Sequence, residues 1–383
     1  MSETKKTTAI KTSSARAYTM IFALAVIWLY FHWATTGNTF LTAGNLSNLA
    51  LQTSVTGIIA VGMLMVILSG NIDLSVGSIV GLAGGVAAYS LSNAGYGIVT
   101  SIICAVMVGI AIGLIHGTLT AYFNIPAFIV TLGGLLAWRG AVKWLLGGNT
   151  IPISNDTYKT IGGGFIGSTY GWYLAGFAIF FVLIMAFRRA RAVKNYGLGE
   201  ANYSGELLKS IIPIGVIIVF IYVMNANEGK GVPIAVLILL AVAFVGSFIT
   251  TSTTFGRYLY AIGGNADAAK LSGINNKRNI LKVYALLGAL TGLAAVVSTA
   301  RLGSASPDAG TLKELDAIAA CVIGGASLVG GRGTIFGALI GALIMASLDN
   351  GMSLLNWRDY SQDIVKGAIL VLAVGADMTG RKS

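Results

Sequence analysis

The chain has 383 residues, 55% of them hydrophobic and only 10% charged, and its mean hydropathy is +0.80. Ordinary soluble domains carry about 25% charged residues, so this composition excludes a soluble multidomain protein and describes a polytopic membrane protein. The formal net charge of +11 lies in short loops between apolar runs, where topology accounts for it and nucleic acid does not.

Runs of about 17–25 apolar residues are candidate spans, and the chain divides into about twelve: 17–35, 46–69, 74–92, 98–122, 127–146, 172–187, 208–225, 233–250, 282–300, 315–330, 334–355 and 361–377. The expected fold is all-α, a single transmembrane domain over 17–378 between short tails at 1–16 and 379–383. The basic tail precedes the first run as in a signal peptide, but no small-residue cleavage site follows Ala34, so that run reads as a retained span. Most of the 25 Lys and Arg residues fall on the side of the N-terminus, in the tail, at Arg188–Lys209, and at Arg257–Lys282. The positive-inside rule then places both termini in the cytoplasm.

Ser69–Gly77, SGNIDLSVG, joins two apolar runs with almost no room for a loop. Asn71 and Asp73 are costly facing lipid, so they and Ser75 face protein or a water-filled path. Two readings stand side by side: a helix break lining a substrate route, and a tight turn in which Asn71 or Asp73 caps the next helix. Farther on, Arg139 and Lys143 share one helix face. The favoured reading is snorkelling to the outer interface beside Trp138 and Trp144; a cationic substrate lining is the alternative. The loop Gly147–Gly171 is too polar to span, and serves as a connector or as a docking surface for an external partner.

Gly256–Asn279, GRYLYAIGGNADAAKLSGINNKRN, is the longest markedly polar, cation-bearing stretch in the second half. It predicts a short cytoplasmic helix with Asn265 as N-cap, Asp267 in the first turn, Lys270 on the same face, and Gly273 as C-terminal stop. Such a helix is marginal alone in water, so it reads as a handle for a soluble partner, within a loop spanning 251–281. Gly324–Gly333, GGASLVGGRG, is a second glycine-rich break between apolar runs, expected on the same side as the first. GxxxG spacings at Gly81–Gly85, Gly109–Gly113, Gly113–Gly117 and Gly337–Gly341 favour close helix crossings, within a subunit or between subunits.

Several chemistries are missing from the sequence. It has no GxxxxGK[ST], no HExxH, no GxSxG and no cysteine cluster; Cys104 and Cys321 both lie in apolar runs, and no metal site is expected. His32 and His116 read as lone residues, interfacial or hydrogen-bonded within helix packing. The carboxylates look scattered, without the buried relay of an ion-driven transporter. Energy for active transport therefore has to come from another subunit.

Together GNIDLSVG (Gly70–Gly77), GRYLYAIGGNADAAKLSG (Gly256–Gly273) and IGGASLVGGRGTIFGALIGA (Ile323–Ala342) resemble the permease subunit of bacterial ABC sugar importers of the ribose/xylose type, over residues 45 to 375. An extra stretch, Phe187–Val232, is similar to the xylose and multiple-monosaccharide permeases. The resemblance implies a non-catalytic, cofactor-free subunit of the inner membrane, importing a monosaccharide. It implies as partners an ABC ATPase, a periplasmic sugar-binding protein and a second permease copy in a homodimer, embedded in membrane lipid. In this family the segment holding Gly263, Gly264, Asn265, Asp267, Lys270 and Gly273 would be the coupling element that touches the ATPase. A branched-chain amino-acid ABC permease and an ion-coupled secondary transporter are the alternatives.

Overall fold

The computed structural model describes residues 3–195 and 202–379. Its helices are α1 (Glu3–Ala34), α2 (Ala43–Leu68), α3 (Val76–Ser92), α4 (Ile98–Ala121), α5 (Ala127–Leu146), α6 (Asp156–Gly163), α7 (Ser168–Asn195), α8 (Tyr203–Ala226), α9 (Ile234–Ser252), α10 (Thr254–Gly264), α11 (Ala266–Leu271), α12 (Asn276–Leu302), α13 (Lys313–Ile323), α14 (Ile335–Leu354) and α15 (Asp359–Thr379). Among the described residues, eight helices are long and apolar enough to cross a membrane, and Tyr18–Ala34 and Val76–Ser92 are shorter apolar helices. The all-α, polytopic expectation holds. Its most buried span is α2, 89% buried across its apolar window, so the other helices are arranged around it.

The polar stretch after α5 is folded. Asn155 caps α6 by accepting from the Tyr158 amide at 3.0 Å, and the buried Tyr158 hydroxyl pairs with Thr299 of α12 at 2.9 Å. Two antiparallel two-residue ladders frame it: β1 (Ile151–Pro152), β2 (Phe165–Ile166), β3 (Val232–Pro233) and β4 (Ser304–Ala305) pair as β1 with β4 and β2 with β3. The additional α7–α8 hairpin packs around a small apolar cluster of its own, with Ala175, Ile221, Met224, Val232 and Val236. Residues 196–201 of its basic loop, and 380–383 of the expected C-terminal tail, lie outside the described residues.

One expected span is corrected. The apolar run 315–330 is not one helix: α13 has 11 residues and stops at Ile323. At 1.5 Å per residue it covers about 16 Å, half of a hydrocarbon core of about 30 Å. Gly325, at φ +85°, turns the chain out of the helix. Residues 306–312 lead irregularly from β4 to Lys313.

The GxxxG spacings act inside the subunit. A methyl group on Gly109 of α4 would run into the Gly288 carbonyl of α12, and one on Gly288 into the Gly109 carbonyl. Gly113 meets the Tyr284 carbonyl in the same way, and Gly341 that of Ala320. With no apolar preference separating helix from lipid, such backbone-to-backbone approach is how these helices gain packing.

Candidate functional site

Local chemistry builds the polar 256–279 stretch as two helices. Thr253 caps α10 by accepting from the Gly256 amide at 3.1 Å, and Asn265 caps α11 by accepting from Ala268 at 2.9 Å. Gly273 follows α11 at φ +82°, its amide donating to the Lys270 carbonyl at 3.0 Å. Asp267 and Lys270 are exposed, Ala269 is buried beneath them, and Leu271 is 90% exposed, an apolar side chain on a polar surface. The expected caps and stop are all in place; the preceding helix α10 is an addition.

What holds this element is a joint made of main chain. The Gly331 amide donates to the Leu68 carbonyl at the end of α2, at 3.0 Å. Gly263 sits against both of these groups, so closely that a Cβ there would overlap the Leu68 carbonyl. A Cβ on Gly330 would lie 2.8 Å from the Gly263 Cα and 2.9 Å from the Gly70 Cα. Both glycine-rich breaks, 69–77 and 324–333, therefore meet each other and the end of α10 at one point. Tyr260 of α10 adds a tie, its hydroxyl donating to the Gly333 carbonyl at 2.8 Å. Burial pushes this phenol above its ordinary pKa, so it stays a protonated donor. Tyr260→Phe leaves that carbonyl without its partner and is expected to cost about 1 kcal/mol, read as a modest fall in the thermal midpoint of the solubilised protein.

The break 69–77 is an irregular connection with a polar interior. Asp73 and Ser75 are buried and Asn71 is half-buried. Asp73 Oδ1 accepts from the Ser75 amide at 2.7 Å and from its hydroxyl at 2.6 Å; neither Asp73 nor Asn71 caps α3 from the Ser75 N-cap position. Asp73 Oδ2 lies 3.7 Å from His116 Nδ1, and Ser75 Oγ lies 3.3 Å from the same nitrogen. Trp138 Nε1 donates to His116 Nε2 at 3.0 Å. An indole N–H needs an acceptor, which puts the imidazole proton on Nδ1, facing the break. His116 is thus hydrogen-bonded within helix packing, as expected of a lone intramembrane histidine.

Arg139 corrects a second expectation. It does not snorkel: its Nη1 donates to the carbonyls of Pro307 at 3.1 Å and Ala309 at 2.8 Å. Those carbonyls belong to the irregular segment before α13, where no ladder or helix satisfies them. Trp138 likewise turns inward to His116, while Lys143 and Trp144 are exposed near the end of α5.

A four-charge cluster ties α13 to α14 and α15. Lys313 Nζ lies 2.6 Å from Asp316 Oδ2 and 3.8 Å from Asp349 Oδ2. Lys366 Nζ lies 3.4 Å from Asp316 Oδ1 and 2.7 Å from Asp349 Oδ1. Two cations and two anions alternate, which is the arrangement that offsets the cost of burying each. Among the described residues, no group of His, Cys, Asp and Glu is arranged to hold a metal ion.

The family described as "Branched-chain amino acid transport system / permease component" matches residues 45–374. The chain belongs to that family. It is also 44% identical over 373 residues to the xylose transport system permease protein XylH of Haemophilus influenzae, covering 97% of this chain and 99% of that one. XylH of Escherichia coli K12 is 41% identical, covering 97% and 94%, and the ribose import permease protein RbsC of the same strain is 37% identical, covering 90% and 88%. No solved structure matches. The protein is a non-catalytic, multi-pass membrane permease component of a bacterial ABC importer.

In the permease, the structure separates the sequence-derived site residues into two groups. Gly263 joins the breaks directly, while Gly264 has open space around it and Asn265, Asp267, Lys270 and Gly273 lie on the exposed surface. Asp73 and Ser75 belong to the His116–Trp138 network on the other face of the first break. Sequence reading missed the charge cluster, treating its carboxylates as scattered. The available signal was charge inside apolar runs: Asp349 and Lys366 each interrupt one.

Proposed function

We propose that the permease carries a neutral monosaccharide, xylose or a related pentose or hexose, from a periplasmic binding protein into the cytoplasm. Its partners in this reading are an ABC ATPase and a second copy of itself, with both termini and the 251–281 loop on the cytoplasmic side. Near end-to-end similarity to xylose permeases at 44% identity supports this best. The extra α7–α8 hairpin belongs to the length they share with it.

Alternating access gives the joint a use. Sugar-loaded binding protein presents its cargo to an outward-facing cavity; ATP then closes the ATPase and pushes on α11 and its exposed neighbours. Because Gly263 abuts both breaks through backbone atoms, displacement of α10 reaches α2, α3 and α14 without a compressible side-chain layer. Asn71, Asp73 and Ser75 then move with a break that borders the path. Differential contact with the two ATPase states sets the bias between cavity states.

Uptake into vesicles holding permease, ATPase and binding protein tests the reading. ATP-dependent accumulation of a labelled pentose or hexose is expected, and Asp267→Arg is expected to reduce it tenfold or more, on the order of 1.4 kcal/mol of lost coupling. Preferential uptake of a branched-chain amino acid would replace the sugar assignment by the family's other substrate class. Uptake driven by an ion gradient without the ATPase would end the importer mechanism.

A further inference from the structure

The four-charge cluster leaves one neighbouring cation out. Arg301, in the last turn of α12, is half-buried, and among the described residues its guanidinium makes no hydrogen bond or ion pair. It opens onto a cavity of about 320 Å³ whose wall also carries Lys313, Lys366 and Asp349. We propose that this cavity is a site for a small inorganic monoanion of the chloride class, held by Arg301 as a resident counter-ion and not carried as cargo. The inference goes beyond the importer reading and does not depend on which solute crosses.

Charge carries the first step. Lys313 and Lys366 are matched by Asp316 and Asp349, so Arg301 is the surplus and three cations face two carboxylates. A guanidinium drawn away from bulk water is costly unless an anion accompanies it. The C-terminal end of α12 favours a cation there, but none of its carbonyls accepts from Arg301. Arg139 and Glu314, which act on each other nearby, are of opposite sign and leave the count unchanged. Asp363 is exposed and lines a separate hollow between α13, α14 and α15.

Hydrogen-bonding capacity carries the second. Gln52 of α2 and Ser298 of α12 share the wall, and among the described residues their side chains have no protein partner. Gln362 of α15 spends one amide N–H on the Trp357 carbonyl at 2.9 Å and keeps the other. Spare donors beside one spare positive charge select an acceptor with one negative charge. A dianion would bring its second charge against Asp349, which lines the same space. Bound there, a monoanion joins α12 to α13 and α15 through charge-assisted contacts that the protein alone does not make.

The ion also has a way in. Arg301 lines a second, wider hollow of about 700 Å³ between α6 and the end of α12, so an anion entering from it meets its ligand first.

The test uses the full-length permease in detergent, without sugar, ATPase or binding protein, so its result stands apart from that of the uptake assay. Chloride replaces gluconate at constant ionic strength, and the readouts are the thermal midpoint and the retention of labelled chloride. A saturable rise of about 2 °C with one ion retained per chain is expected in the wild type. Bromide should substitute and sulfate should not. Arg301→Gln should weaken chloride binding about tenfold or more. Its midpoint in gluconate should match or exceed that of wild type, because an uncompensated charge has been removed; a merely structural arginine would lower it. Arg301→Lys keeps the charge and should retain a weaker response. Ser298→Ala removes one donor and should weaken binding severalfold, which preserves the test if Arg301→Gln does not fold. A wild type with no saturable response, or a response in the variants equal to that of wild type, would overturn the inference. Sulfate binding tighter than chloride would overturn the monoanion assignment.

Discussion

Valine at Gly263 is expected to leave no assembled transporter, whereas tryptophan at Gly264 leaves a folded permease that fails to couple. The contrast comes from two adjacent residues with opposite surroundings. A side chain on Gly263 would overlap the Leu68 carbonyl and approach the Gly331 amide to 2.6 Å, which would part the Gly331–Leu68 hydrogen bond. These are backbone atoms of two other elements and have no rotamer to yield with, so the cost lies at or above the usual 1–3 kcal/mol of overpacking. Gly264 has no atom within 4 Å of its would-be Cβ. An indole there projects from the exposed surface beside α11, where it blocks a partner and not the fold. Size-exclusion profiles of the solubilised permease, with and without the ATPase, separate the outcomes. A Gly264→Trp variant that still bound the ATPase and transported at the wild-type rate would move the coupling surface elsewhere.

Arg139→Ala should be the most damaging single change within α5. It orphans two carbonyls, Pro307 and Ala309, in a segment with no regular structure to satisfy them. Both carbonyls are half-buried, where water can replace part of the lost pairing, so a combined loss of about 1–3 kcal/mol is expected. Arg139→Lys keeps the charge but not the planar fork, and should fall between the two. The thermal midpoint of the detergent-solubilised protein gives the readout; an Arg139→Ala midpoint equal to wild type would show that the segment holds its own shape.

The elements legible in the sequence were those governed by local chemistry. Asn265 and Gly273 mark the ends of α11 because a cap and a left-handed stop act within a few residues. Ser69–Gly77 and Gly324–Gly333 announced breaks because glycine and polar groups interrupt apolar runs. The second of these breaks begins where α13 stops, at Ile323, but Ala326, Leu328 and Val329 keep the run apolar past it, so the span was drawn too long. Arg139 was misread because its partners lie 168 and 170 residues away, and snorkelling is the local solution for an arginine near a helix end. The charge cluster was invisible for a related reason: only the Lys313–Asp316 pair shares a helix, and the other ties cross to α14 and α15.

The crossing of α4 and α12 has a bearing on how the permease can be watched at work. Where Gly109 and Gly288 bring two backbones into contact, no side-chain layer remains to shear. The two helices have to travel as a single body through every state of the cycle. A spectroscopic label on each would report a constant separation, an internal ruler fixed by glycine. Against that reference frame the excursions of α10, α13 and α15 can be assigned to the elements that make them.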